Sequence, residues 1–152
     1  MIAVTAADLG IDINEPGGNG LFKWLLASFL IGKRIRTSVA VKAFHRLVDQ
    51  EGVGTPEQLA RRSHAQFVRW LGEAGYARYD ESTARRLRVL GQRVSEELHP
   101  QLCALCTGAH GVADFERWLL SFEGVGPKTV EIFMHEAAGT LHDASADLLM
   151  PS

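Results

Sequence analysis

The stretch Phe122-Glu123-Gly124-Val125-Gly126-Pro127-Lys128 decides the predicted fold of this chain. Its two glycines are separated by one apolar residue, so the backbone can turn tightly and approach a ligand while Val125 points into the core. Pro127 suits the first turn of a following helix. The unpaired amides and the positive dipole end at the start of a helix attract anions such as phosphate. The stretch therefore predicts a turn between two helices that offers an anion site.

Helical periodicity continues on both sides of this stretch. Apolar residues recur at helical spacing from Asp114 to Phe122 and again from about Pro127 to Ala138, which places a helical hairpin at about 113–138. Strand-like alternation is not found, so the predicted fold class is all-α, a compact multi-helix domain. Five further helices are expected: Leu21 to Ile31, Thr37 (or Arg36) to about Gly52, Thr55 to Arg61, Ser63 to about Gly75, and Asp80 to Leu98.

Residues that form turns or interrupt helices set the remaining boundaries. Turn-forming residues at 14–20 predict a loose lead-in over residues 1–20, followed by one domain over 21–152. His99 followed by Pro100 is expected to end the helix that begins at Asp80. No element is assigned from Leu102 to Gly111.

Charge is uneven along the chain. The net charge is −2, which argues against nucleic-acid binding through bulk positive potential. Between Gly32 and Arg93, however, thirteen Lys or Arg residues stand against six Asp or Glu, whereas 113–152 is acidic. Either this segment forms a basic face that follows phosphates, or its helices carry solvated charges in uneven blocks.

Other bulk features exclude some classes of protein. No apolar run is long enough for a membrane span, and the first residues lack the pattern of a secretory signal, so we expect no membrane partner and a cytoplasmic location, nucleoid-associated in a bacterium. Cys103 and Cys106 fit a reducing compartment. With His99 and His110 nearby they could bind zinc, but the pair is explained more simply as two small apolar residues, and no metal is expected.

The segment Phe122 to Val130 resembles the Leu-Pro-Gly-Val-Gly-x-Lys-Thr-Ala signature of the helix-hairpin-helix DNA glycosylases, related to endonuclease III and the adenine-mismatch glycosylases. The first helix, and Gly75-Tyr76 followed by a basic helix, extend the resemblance over about 21–147. It implies double-stranded DNA as the partner of a monomer. The implied activity is base excision, with or without strand cleavage by a lysine Schiff base, although similar hairpins occur in other DNA-binding proteins.

The resemblance also implies roles for single residues. Lys128 matches the family's nucleophilic lysine; the alternative is a phosphate contact or a solvated residue. Asp147 matches the family's aspartate, with Asp143 as the reserve, but only five residues follow Asp147, so it is expected to be poorly held. The expected DNA contacts are Gly124, Val125, Gly126, Lys128, Thr129, Lys33, Arg34 and Tyr76.

Three departures from the family bear on its chemistry. Many relatives hold an iron-sulfur cluster with four cysteines beyond the hairpin; this chain has two cysteines, both before it, so no cluster and no cofactor are expected. Glu123 replaces the usual proline, and its charge should weaken phosphate binding. Many relatives have a glutamine after the first helix that fills the gap left by the flipped base. Here Lys33 or Arg34 could serve as the wedge or as a backbone contact, or both could belong to a solvated loop.

Three functions are compatible with these observations. The first is a base-excision glycosylase and lyase using Lys128 and Asp147, which predicts a pocket between the hairpin and the first helix. The second is a non-catalytic DNA-binding module, which predicts Lys128 at the surface. The third is a helical interaction domain whose hairpin is only a connection, which predicts no salt-dependent DNA affinity.

Overall fold

The computed structural model describes residues 4–76 and 79–142. These residues form α-helices and short helical turns without a strand, which confirms the all-α prediction. Short 3-10 turns lie at Ala7–Leu9 and Pro16–Gly18, and a π-helical turn at Arg46–Gln50. The α-helices are α1 Asn19–Ile31, α2 Thr37–His45, α3 Pro56–Arg61, α4 His64–Glu73, α5 Asp80–Thr107, α6 Val112–Leu120 and α7 Pro127–His142.

Helix α1 forms the centre of the core. Its sequence is apolar on nearly all sides, and ten of its residues are buried. It packs against α2 and α7, and the indole Nε1 of Trp24 donates to the carbonyl oxygen of Phe133 at 3.0 Å. At its C-terminal end, a Cβ on Gly32 would lie 2.2 Å from Thr129 Oγ1. The end of α1 is therefore in close contact with the start of α7.

Two capping boxes set the starts of α3 and α4. The Thr55 side chain accepts from the Gln58 amide and the Ser63 side chain from the Gln66 amide, while each glutamine side chain bonds back to the cap residue. Both predicted starts are confirmed. These two helices pack against α5, where a Cβ on Gly91 would lie 2.7 Å from the Ala60 nitrogen.

Helix α5 is longer than predicted. It continues through Pro100 to Thr107 and ends at Gly108, whose φ is +77°. The expected break at His99 is therefore wrong, and most of the unassigned segment after Leu102 is helical. Leu98 and Leu102, one helical turn apart across the proline, are both buried, so their packing offsets the hydrogen bond that proline cannot make.

The lead-in packs against α7. Ala6, Leu9 and Ile11 are buried, and the Ala6 amide donates to the Glu136 carboxylate at 2.9 Å. Thr140 Oγ1 donates to the side-chain oxygen of Asn14 at 2.8 Å. The prediction of a loose lead-in is therefore wrong from Val4 onward, because the side chains of Leu9 and Ile11 are buried in the core.

Among the described residues, no helix combines the length and apolar character that crossing a membrane requires. Asp143 and Asp147, the predicted acidic partners of Lys128, lie outside the described residues.

Candidate nucleic-acid interface

The turn between α6 and α7 has the tight geometry that its glycines predict. Gly124 has φ +88°, a conformation that L side chains rarely adopt. A Cβ there would lie 2.9 Å from Arg86 Cδ and 3.0 Å from Phe29 Cε1. Val125 is 6% exposed and its amide donates to the Phe122 carbonyl, so its side chain anchors the turn in the core as expected.

The outer side of the turn is open. A Cβ on Gly126 would meet no atom within 4 Å, and Pro127 and Lys128 are exposed. Among the described residues, the amides of Gly126 and Lys128 have no protein acceptor. Donors of this kind at the start of a sixteen-residue helix, α7, favour a negatively charged group.

Two arginines of α5 hold the carboxylate of Glu123. Arg85 donates two hydrogen bonds to it, at 2.8 and 2.9 Å, and Arg86 Nε donates a third at 3.3 Å. Hydrogen bonds from Arg85 and then Arg86 lower the pKa of Glu123 to about 2. The negative charge beside the predicted phosphate site is therefore paired with two positive ones, and the three side chains together carry a net charge of +1.

A third arginine of α5 contacts the hairpin two helical turns further on. The guanidinium of Arg93 lies 3.9 Å from the centre of the Phe122 ring and donates to both the carbonyl and the hydroxyl of Ser121. It also forms an ion pair with Glu97, whose carboxylate accepts from the Trp118 indole at 2.8 Å. Two groups of contacts therefore hold the hairpin against α5, one at Arg85 and Arg86 and the other at Arg93.

Lys33 links the loop after α1 to the hairpin. Its Nζ donates to the Gly124 carbonyl at 2.5 Å and lies 4.4 Å from the centre of the Phe29 ring. Both contacts favour the ammonium form, whereas burial and the nearby Arg86 guanidinium oppose it. The opposing effects are larger, and burial followed by Arg86 lowers the pKa of Lys33 to about 8.

A pocket of about 300 Å³ opens beside this lysine. It lies between the loop after α1 and the first turns of α5, close to the hairpin but without a lining residue from it. Six of its seven lining residues carry a hydroxyl group or a positive charge. The lining residues are Gly32, Lys33, Arg34, Tyr79, Ser82, Thr83 and Arg86.

The structure separates the predicted DNA contacts into two groups. Lys128 and Arg34 are exposed, and Gly124, Gly126 and Lys33 are partly accessible beside them. Val125, Thr129 and Tyr76 are buried.

The buried group requires a correction. Tyr76 is fully buried and its hydroxyl donates to the Leu30 carbonyl at 2.9 Å, so no face of its ring is open to a base. The prediction that Tyr76 contacts DNA is wrong in this conformation, because the tyrosine bonds to the last turn of α1 from inside the core. Val125 offers neither its side chain nor its amide, and the side chain of Thr129 faces Gly32.

Lys128 is exposed on the first turn of α7 and does not line the pocket beside Lys33. Unlike Lys33, it therefore has no pocket beside its amine, among the described residues, that would support the predicted nucleophilic role. The pairing of Lys128 with Asp147 stays a prediction, because Asp147 lies outside the described residues.

The two cysteines lie near the C-terminal end of α5. Both side chains are partly exposed, and Cys103 Sγ lies 3.5 Å from His99 Nε2. In the part of the chain that the structure describes, no three His, Cys, Asp or Glu side chains group together to hold a metal ion.

The chain was compared with protein-family models, with curated proteins and with solved structures, and none of them matches it. The resemblance to the helix-hairpin-helix glycosylases accordingly stays a prediction.

Sequence reasoning missed the part that α5 plays at this surface. Arg85 and Arg86 lie thirty-seven or more residues before Glu123, so no local pattern connects them. The available signal was the excess of arginine on the predicted helix after Asp80, taken together with one unexplained glutamate in the hairpin.

Proposed function

We propose that this chain binds double-stranded DNA through the hairpin tip and the basic loop after α1, and that it acts on the bound DNA as a base-excision glycosylase. The observation that carries the proposal is the open start of α7. There the amides of Gly126 and Lys128 have no acceptor among the described residues, and Lys33 donates to the nearby Gly124 carbonyl. Lys33 in turn shares a pocket wall with the exposed Arg34. Such a surface suits a phosphate group, which amides, dipole and cations all attract.

The charge distribution supports this proposal. Arg85 and Arg86 neutralise Glu123 and leave an excess of positive charge next to the hairpin, although the whole chain is slightly acidic. Phosphate contacts account for most of the affinity of proteins that bind DNA without reading its sequence, and they depend on local rather than net charge.

The binding experiment is a titration of a fluorescent duplex, followed by anisotropy at several salt concentrations. The double variant Lys128→Ala/Arg34→Ala should bind more weakly and with a shallower salt dependence, by roughly one counterion for each phosphate that the variant no longer neutralises. The matched control is Arg61→Ala/Arg69→Ala, which removes the same charge from exposed positions outside the hairpin and the loop after α1. Equal weakening of DNA binding in both double variants would contradict a localised interface.

The catalytic part of the proposal has its own test. A labelled duplex that carries an abasic site is incubated with the chain, and borohydride is added to trap a Schiff base. A trapped, cleaved product that disappears in Lys128→Ala would support Lys128 as the nucleophile, and one that persists in this variant would assign the covalent chemistry to another amine.

A second candidate, a non-catalytic DNA-binding module, is favoured by the exposed position of Lys128. Salt-sensitive binding without trapping, strand cleavage or base release from damaged duplexes would select the module. Absence of binding would leave a helical interaction domain.

A further inference from the structure

A lysine other than the one in the hairpin has the surroundings of a reactive amine. The chain has four lysines, Lys23, Lys33, Lys42 and Lys128. Lys33 combines partial burial, an aromatic ring beneath its amine and a position on the wall of the pocket of about 300 Å³. Lys42 and Lys128 are exposed, and Lys23 forms an ion pair with Glu15 at 4.0 Å.

We propose that Lys33 is the amine that forms a Schiff base with the aldehyde of an abasic deoxyribose bound in this pocket. The inference rests on the proposed DNA-binding function and assigns its covalent chemistry to a residue outside the hairpin. The pocket has the size of a small-molecule site, and the cations Arg34 and Arg86 on its wall suit the phosphates that flank an abasic sugar.

The step balances without any further reactant. The unprotonated amine adds to C1′ of the open-chain sugar and forms a C–N bond, while the carbonyl π electrons move to oxygen. The two amine protons leave with that oxygen as water, and a C=N bond remains. The addition requires an unprotonated amine near neutral pH, and solvent can carry the protons that leave with the oxygen.

Lys33 comes closer to this requirement than an ordinary lysine. Burial lowers the pKa of Lys33 to about 8, with Arg86 adding to the effect, so about a tenth of these amines are unprotonated at pH 7, compared with fewer than about one in a thousand at the ordinary value of 10.5. The charged and titratable groups on the same pocket wall are Arg34, Tyr79 and Arg86, and Glu123 lies behind Arg86. The Gly124 carbonyl holds the lysine at the hairpin, so bound DNA would meet both together.

The first test is borohydride trapping on the abasic-site duplex with single lysine variants of the full chain. Lys33→Arg keeps the positive charge but removes the nucleophile, because a guanidinium stays protonated. We expect trapping to fall to the protein-free level in Lys33→Arg and to persist in Lys128→Arg and in the control Lys42→Arg. Trapping that persists in Lys33→Arg, or that is abolished only in Lys128→Arg, would overturn the proposal.

Anisotropy titration of the same duplex separates this inference from the proposed function. Lys33→Arg should still bind DNA, because its charge is kept. A wild-type chain that binds the duplex without any trapping would overturn the assignment of Lys33 while leaving DNA binding intact. A wild-type chain that does not bind would instead contradict the proposed function.

A second test needs neither DNA nor a variant. The wild-type chain is treated with glycolaldehyde phosphate and cyanoborohydride at pH 7.5, and the modified lysines are identified by peptide mass spectrometry. We expect Lys33 to be modified ahead of Lys23, Lys42 and Lys128. Equal or slower modification of Lys33 would overturn the proposal, even if the arginine variant failed to fold.

Discussion

Gly124 shows at the scale of one residue how the hairpin depends on the absence of a side chain. Its φ of +88° lies in the left-handed region, and Arg86, Phe29 and Lys33 occupy the space where a Cβ would stand. Gly126, two residues later, has no positive φ, and a Cβ added there would meet no atom within 4 Å. The two glycines of the motif therefore have different functions, one in packing and one in leaving the surface open.

This difference gives the first prediction. Gly124→Ala should lower the free energy of unfolding by about 1 to 3 kcal/mol, through backbone strain and overpacking. Gly126→Ala is the matched control and should change it by less than about 0.5 kcal/mol. Urea denaturation followed by circular dichroism measures both. Similar values for the two variants would show that the close contacts at Gly124 do not constrain the fold.

Lys33 gives a prediction on pH. Its pKa in the folded chain is about 8, below the ordinary 10.5, so between these values the unfolded chain binds more protons than the folded one. Stability should therefore rise with pH through this window, relative to a variant without this amine. Urea midpoints at pH 7.5 and 10 would be compared for the wild type and Lys33→Met, with Lys42→Met as the control.

We expect the stability of the wild type to increase relative to that of Lys33→Met as the pH rises. Its difference in stability from Lys42→Met should stay constant. The other titrating groups are common to all three chains and cancel in the comparison. A constant difference between the wild type and Lys33→Met would mean that the lysine keeps its ordinary pKa.

At the scale of elements, local signals predict helix starts better than helix ends. The caps at Thr55 and Ser63 are formed within four residues, so the sequence alone contains the whole interaction. The end of α5 depends on burial of Leu98 and Leu102 by other parts of the chain, and this packing overrides the proline between them. Likewise, no local sequence pattern indicates that Tyr76 is buried against α1, so its predicted contact with DNA is wrong.

A substitution at Pro100 can measure what this proline costs in the free energy of unfolding. It is exposed and lies inside α5, where it removes one helical hydrogen bond. Pro100→Ala should raise the free energy of unfolding by about 2 kcal/mol, since the gain in the helix exceeds the loss of rigidity in the unfolded chain. Urea denaturation of this variant, beside Gln101→Ala as control, tests the prediction. A destabilised Pro100→Ala chain would argue that α5 requires the proline at this position.

At the scale of the whole molecule, the site is built from three distant parts of the chain. The loop after α1, the first turns of α5 and the turn before α7 meet through Lys33, Arg86 and Glu123. The hairpin motif is recognisable from its spacing, but the pocket is not, because its wall comes from two segments that are far apart in the sequence. The same assembly explains how a chain of net charge −2 presents a cationic surface.

Glu123 controls that surface. Its carboxylate accepts hydrogen bonds from Arg85 and Arg86, which are therefore only partly available to phosphates. Glu123→Gln should release both guanidinium groups and increase DNA affinity, with a steeper dependence on salt by about one to two counterions. The control Glu96→Gln makes the same change in net charge at an exposed position of α5.

Anisotropy titrations of one duplex at 50 to 200 mM salt compare the three chains. A uniform effect of net charge would raise the affinity of both variants alike, whereas local pairing predicts a larger gain for Glu123→Gln. If Glu123→Gln bound DNA more weakly than the wild type, the glutamate would be needed to hold Arg85 and Arg86 in place for binding. The sign of this one change therefore distinguishes a competitor for the arginines from a group that positions them.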